Sequence, residues 1–254
     1  MRKDRSARGS FHASGSWGDG IPDQEWAVYD EAIVRLQAER IPIALGGAFA
    51  LATYSGYWRN TKDLDFYILE EDLPKVVEVF GAAGLDDYFG VLEYDRGWIY
   101  RAHRDGTIVD AIFGMPNRRA RCTPEWLVNG PEITVRGRTL RVLPPEELIF
   151  AKIFVMQRPR CDWPDIINVI YGAGPVIDWE HLLGLLDADV PLLRSVLSTF
   201  SWLAPGRAGE LEAELWGRMQ LPAPEEGPLY DVERIMLLET RPWFAPLIMA
   251  ETND

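Results

Sequence analysis

The sequence predicts an α/β fold of the α+β kind over residues 23–143 and a mostly helical region over 144–254. Three observations carry this. Short apolar runs alternate with amphipathic helical periods in the first half. Two turns, Arg104-Asp105-Gly106 and Arg136-Gly137-Arg138, each separate a pair of β-like runs. Beyond residue 160 the chain holds four helix-length apolar stripes with no strand-like run between them.

Residues 1–22 are basic, then rich in Gly and Ser, and are expected to form a flexible tail; they lack the apolar middle of a signal peptide. Residues 23–40 repeat apolar side chains (Trp26, Tyr29, Ile33, Val34, Leu36) every three to four positions, which predicts a helix. The run 41–45 ends in Gly46-Gly47 and reads as a buried strand. An Ala-rich helix is expected over 48–56 and a second strand over 63–69. Residues 73–84 read as an amphipathic helix whose end suits Gly81 and Gly84. The runs 97–103 and 107–113 predict one hairpin, and 133–143 a second. Pro144-Pro145 then opens a helix with 146–157 as its body. The later stripes cover 162–174, 178–189, 191–204 and 209–220, and no period of 20–50 residues marks a repeat protein.

Composition sets the class. The 254 residues are 47% apolar, enough for a packed core. No 18-residue apolar window is present, so no membrane span is expected. Cys122 and Cys161 lie far apart, and His12, His103 and His181 are scattered, so neither a disulfide framework nor a zinc site is suggested. A cytoplasmic protein is the expectation. The net charge of −13 is uneven: residues 96–160 hold 12 basic against 6 acidic residues, between strongly acidic flanks. Such an island can attract phosphates, or can simply be a mixed solvated surface. The run Arg118, Arg119, Arg121 leaves the same two readings open.

The chemistry concentrates in one strand. Asp63 and Asp65 interrupt a run in which Leu64, Phe66, Tyr67 and Ile68 want cover. At i and i+2 both carboxylates point to one face, their Cα atoms roughly 6.5–7 Å apart. Two such charges raise each other's pKa unless a cation lies between them. Hard oxygen ligands suit Mg²⁺, or Mn²⁺ in its place. Asp110 is a third acid, set in the apolar strand run 107–113, and a buried aspartate needs a partner. Gly46 and Gly47 let a phosphate approach backbone N–H groups at a helix start, or make a tight strand-to-helix turn. Arg59 can hold a phosphate or pair with an aspartate.

Gly46, Gly47, Arg59, Thr61, Asp63, Leu64, Asp65 and Phe66 together resemble the signature of the DNA polymerase β-like nucleotidyltransferases. The pattern is most similar to the small prokaryotic branch that includes AbiEii-type toxins and lincosamide nucleotidyltransferases. The resemblance covers about residues 40–170. It implies a mixed sheet, Asp63, Asp65 and Asp110 as metal-binding catalytic acids, and Gly46, Gly47, Arg59 and Thr61 around the nucleotide phosphates. It gives Lys152 a triphosphate-facing role and makes Arg160, Asp162 and Asp165 an Arg–Asp element, alternatively a structural salt-bridge cluster. Trp163 and Pro164 depart from the usual spacing there, and Ala48 replaces the usual polar residue after the glycine pair.

The implied activity is transfer of a nucleoside monophosphate from an NTP to a hydroxyl acceptor. The acceptor is a small molecule such as an antibiotic, or a tRNA or protein if the chain acts as a toxin with an antitoxin partner. A non-catalytic nucleotide-binding module and a metal-dependent phosphohydrolase are the competing readings.

Overall fold

The computed structural model describes residues 16–58, 61 and 63–244. They fall into two units, one of residues 16–53 and 58–144, the other of residues 54–57 and 145–244.

The first unit begins earlier than expected. Residues 16–22, assigned to the tail, include a 3-10 turn at Ser16–Gly20. Trp17 stacks on Trp58 at 5.3 Å and meets Phe49 edge-on at 5.1 Å, and Ile21 is buried. Two apolar side chains in a Gly-rich run are enough to anchor it. Helix α1 (Asp23–Ala38) follows and buries Val28, Tyr29, Ala32, Ile33 and Leu36 on one stripe. Strand β1 is only Ala44–Leu45, shorter than the expected 41–45, and Pro42 has no N–H to give a ladder. Helix α2 (Gly47–Ser55), strand β2 (Asp63–Tyr67), helix α3 (Leu73–Ala82) and the short strand β3 (Asp86–Asp87) come next. Strands β4 (Ile99–Arg104) and β5 (Thr107–Ile112) form the first hairpin. Helix α4 (Pro124–Val128) leads to the second, β6 (Glu132–Val135) and β7 (Arg138–Arg141). Both hairpins turn through two residues of positive φ, Asp105-Gly106 and Arg136-Gly137. That geometry matches strand twist, and it is why glycine stands second in each turn.

The main sheet is mixed, in the order β1-β2-β5-β4-β3, with β2 parallel to β5 and the other pairs antiparallel. One face carries Leu64, Phe66, Val109, Ala111 and Ala102, all essentially sealed. Helices α1 and α3 cover this face: Phe80 of α3 stacks on Tyr100, and Arg104 reaches Glu31 of α1. The opposite face carries the acids. Parallel pairing sets Asp65 beside Asp110, and the hairpin sets Asp110 beside Arg101, so Asp65, Asp110 and Arg101 form one row across three strands.

The arginines of the basic island are largely spent within this unit. Arg96, Arg101, Arg104, Arg118, Arg121, Arg136, Arg138 and Arg141 pair with Asp87, Asp110, Glu31, Asp95, Glu70, Asp23, Asp30 and Glu132 respectively. Charges separated along the sequence are brought together by the fold.

The second unit is helical: α5 (Pro145–Ile153), α6 (Trp163–Ala173), α7 (Trp179–Leu186) and α8 (Val190–Leu203). Three short helices follow, α9 (Pro205–Ala208), α10 (Ala213–Arg218) and α11 (Val232–Met236). Three expected helices are shortened. Helix α7 ends at Leu186 rather than 189, because Asp187–Asp189 tighten into a 3-10 turn. Helix α5 ends at Ile153 rather than 157, where Met156 and Cys161 form a bridge that turns the chain back. The expected helix over 209–220 is confined to 213–218, because Gly209–Leu211 close tight turns onto α9 and Glu212 is extended. Among the described residues no helix is long and apolar enough to cross a membrane.

Candidate active site

Asp63, Asp65 and Asp110 each offer a carboxylate oxygen, and the three oxygens lie within 4.8 Å of one another. The cause is the sheet. Asp63 and Asp65 share a face of β2 by the two-residue period, and β5 lies one strand spacing away, about 4.8 Å, with Asp110 in register with Asp65. Asp63 and Asp65 are half-buried, while Asp110 is only 1% exposed. Thr61 donates its hydroxyl hydrogen bond to Asp63 Oδ1, so this residue orients the first carboxylate. Arg59 lies outside the described residues.

The glycine pair sits against the same acids. The Gly46 N–H donates to the Asp65 carbonyl at 2.9 Å, tying the end of β1 to β2. Gly47 is the first residue of α2, and the Asp65 carboxylate fills the space a side chain there would need. The Asp65 carboxylate thus lies at the start of α2, the end of a helix that favours a negative group. A β-carbon on Gly46 would meet the Tyr67 ring at 2.3 Å, and Tyr67 in turn packs on Trp126 at 5.9 Å.

Asp110 has a partner that the sequence reading did not find. Arg101 Nε donates to Asp110 Oδ1 at 2.8 Å and Arg101 Nη2 to Oδ2 at 2.6 Å, a bidentate pair. Burial pushes the Asp110 carboxyl up; Arg101 opposes this and Asp63 adds to it. The guanidinium of Arg101 is raised by its hydrogen bonds to Asp110. It also lies 5.7 Å from the centre of the Tyr88 ring. The Arg101 backbone is fixed at both ends by one phenol, since Arg101 N–H donates to Tyr94 Oη at 2.9 Å and that hydroxyl donates back to the Arg101 carbonyl at 3.3 Å. The signal was present: a two-residue turn at Asp105-Gly106 sets 104 against 107, and hence 101 against 110.

Lys152 belongs to the helical unit. Its ammonium is buried and donates to Asp162 at 3.0 Å and to Asp165 at 2.8 Å. Arg160 makes a bidentate pair with Asp162, at 2.8 and 2.9 Å. Burial pushes the Asp162 carboxyl up, but Arg160 and Lys152 outweigh it and hold the group below its ordinary range. Of the two sequence readings of these residues, this geometry has the form of a buried salt-bridge cluster.

The donor set suits a hard divalent cation. Three carboxylates converge, two of them half-buried and one buried, and the absence of a side chain at Gly47 lets Asp65 take its place among them. Asp110 joins such a set only by sharing its oxygens with Arg101 or giving that partner up.

No family model matches the chain, and no curated protein matches it. Solved structures do. The solution structure of the antibiotic-resistance factor ANT(2'')-Ia is 14% identical, with a TM-score of 0.48 over 69% of this chain and 97% of that one. The lincomycin-bound lincosamide antibiotic adenylyltransferase LnuA is 14% identical, with a TM-score of 0.41 over 59% of this chain and 96% of that one. An antigenic nucleotidyltransferase-like protein from Paracoccidioides brasiliensis is 18% identical, with a TM-score of 0.33 over 68% of this chain and 91% of that one.

Proposed function

We propose that this chain is a metal-dependent nucleotidyltransferase that moves a nucleoside monophosphate from an NTP to a hydroxyl acceptor. The convergence of Asp63, Asp65 and Asp110 within 4.8 Å on one sheet face carries the reading. The glycine pair beside them and the sequence pattern around the two strand acids support it.

In this reading Asp63, Asp65 and Asp110 hold Mg²⁺ or Mn²⁺. The bound metal would supply charge neutralisation and orientation for the triphosphate. Thr61 keeps Asp63 in place, Gly46 and Gly47 let Tyr67 and the Asp65 carboxylate close onto the start of α2, and Arg59 is the cation assigned to the phosphates. The acceptor oxygen forms a bond to the α-phosphorus as the bond from that phosphorus to the β-phosphate bridge oxygen breaks. Pyrophosphate leaves with that electron pair, and the hydroxyl proton passes to a carboxylate or to water. Deep burial at 1% exposure favours Asp110 as a ligand over Asp110 as the proton acceptor. The paired arginines favour a small-molecule acceptor over a nucleic acid, because few guanidiniums are left for a phosphate backbone.

One observation favours a second reading, nucleotide binding without turnover. An unpaired buried carboxylate is costly to keep without metal, and Arg101 removes that cost for Asp110. Incubation with each α-labelled NTP, Mg²⁺, and panels of aminoglycosides, lincosamides and cellular RNA separates the two. Label transferred by wild type and lost in Asp63→Ala/Asp65→Ala establishes the transferase. Metal-dependent NTP binding with no label on any acceptor establishes the binding module, and absence of binding rejects the site.

A further inference from the structure

We infer that Arg101 is a positioning residue that couples metal binding to nucleotide binding, by occupying Asp110 until a triphosphate offers its guanidinium another anion. The inference rests on the metal site proposed above.

The geometry supplies a competition. Arg101 holds both oxygens of Asp110, at 2.8 and 2.6 Å, in the row that also contains Asp65. Asp110 is 1% exposed, so its carboxylate has no solvent to fall back on and must keep an ionic partner. The Arg101 side chain is 29% exposed and therefore has solvent on one side. Its backbone is pinned through Tyr94, so any exchange of partner is made by the side chain. A divalent cation among the three acids and a guanidinium on the third are like charges within a few ångströms. Each raises the free energy of the other. Metal alone must therefore displace Arg101 to gain Asp110. Metal with NTP does not leave Arg101 unpaired, because the phosphates accept its planar fork as a carboxylate does. The two ligands then bind with positive cooperativity, and couplings of this kind amount to roughly 5–150-fold in affinity.

A merely structural Arg101 predicts the opposite sign. If it only braces Asp110, its removal loosens the site and weakens metal binding. If it competes, removal frees a carboxylate, deletes a repelling charge, and tightens binding of bare metal.

The test is calorimetric titration of full-length wild type, Arg101→Gln and Arg101→Lys with Mn²⁺ alone, followed by titration with a non-hydrolysable NTP analogue at saturating Mn²⁺. Arg101→Gln should bind bare Mn²⁺ about fivefold or more tightly than wild type, and the NTP analogue correspondingly more weakly. Its melting temperature should be low without metal and should rise more with Mn²⁺ than that of wild type. Arg101→Lys keeps a charge but loses the fork, so it remains folded and falls between the two. Bare-metal affinity in either variant equal to or below wild type overturns the coupling while leaving the metal site intact. Failure of wild type to bind Mn²⁺ even with the analogue overturns the metal site, and this inference with it.

Discussion

The Asp65 Oδ2 atom stands 1.6 Å from where a β-carbon on Gly47 would be, and Gly47 has a φ of +49°. Two demands therefore meet at one position. The backbone conformation is one that side-chain-bearing residues adopt at a cost, and the space a side chain would fill is already held by one of the three converging carboxylates.

Gly47→Ala should accordingly lose both function and stability. The left-handed conformation alone costs about 1–2 kcal/mol, and the clash must push Asp65 away from Asp63 and Asp110. The expected result is a lower melting temperature together with loss of Mn²⁺-dependent NTP binding. Gly81→Ala is the control: it lies in α3, where an added β-carbon meets nothing within 4 Å. That change should raise stability by about 0.5–1 kcal/mol, the ordinary helix preference for alanine. Unaltered binding in Gly47→Ala would show that the Asp65 carboxylate has no fixed place in the site.

Much of this arrangement is legible in the sequence, and the illegible part has physical reasons. The alternation Asp63-Leu64-Asp65-Phe66 fixes which face the acids take, and the Asp105-Gly106 turn fixes the register of Asp110. What local pattern cannot give is a partner on a different strand or helix. That Asp110 lies beside Asp65 depends on β2 and β5 pairing in parallel across 40-odd residues of intervening chain. The sequence leaves the basic island open between a phosphate-attracting patch and a mixed solvated surface, because its acidic partners, such as Asp30 for Arg138 and Glu31 for Arg104, lie on a distant helix. Short strands β1 and β3, two residues each, carry too little period to identify or bound reliably.

Lys152 offers a test of a buried ion cluster against a substrate contact. Removing the ammonium in Lys152→Met leaves Asp162, whose side chain is 6% exposed, with Arg160 alone. Breaking a buried pair in this way costs about 3–5 kcal/mol. The pH dependence has a defined sign. The folded Asp162 carboxyl lies below its ordinary value of 3.8, so the stability it adds is present above that value and is lost as pH falls through the lower folded value. Wild type should therefore lose stability on acidification below about pH 4, and Lys152→Met should show a shallower loss in the same window. Chemical denaturation at a series of pH values measures both. A variant of unchanged stability whose NTP affinity alone falls would instead make Lys152 a phosphate ligand.

Tyr29 is fully buried in α1, and among the described residues its hydroxyl has no hydrogen-bond partner. Burial pushes its phenol well up, with Glu25, Asp63, Asp65 and Asp110 adding to the shift. An unmade hydrogen bond in the core is a cost, and phenylalanine keeps the ring while deleting the orphaned group. Tyr29→Phe should then be neutral or more stable by about 1 kcal/mol. The ring's edge contact with Phe49, at 5.9 Å, is retained by the substitution. Denaturant midpoints at constant slope measure the change. A loss of 2 kcal/mol or so would mean that the hydroxyl is satisfied after all.

The acceptor class can be approached through charge. The chain carries a net −13, and eight arginines of its basic middle stretch already face carboxylates. Exposed pairs such as Arg118–Asp95 are individually weak, at about 0–1 kcal/mol, so a phosphate can compete for them. Each such exchange, however, leaves an aspartate or glutamate beside the phosphate that replaced it, and the gain from releasing counterions is largely cancelled. A mixed-sequence single-stranded RNA should therefore fail to bind at about 0.15 M salt and about 10 µM protein, where ordinary basic surfaces begin to do so. Fluorescence anisotropy of a labelled RNA measures this directly. Submicromolar binding with a steep salt dependence would show that the arginines exchange partners readily, and would move a tRNA acceptor ahead of a small molecule.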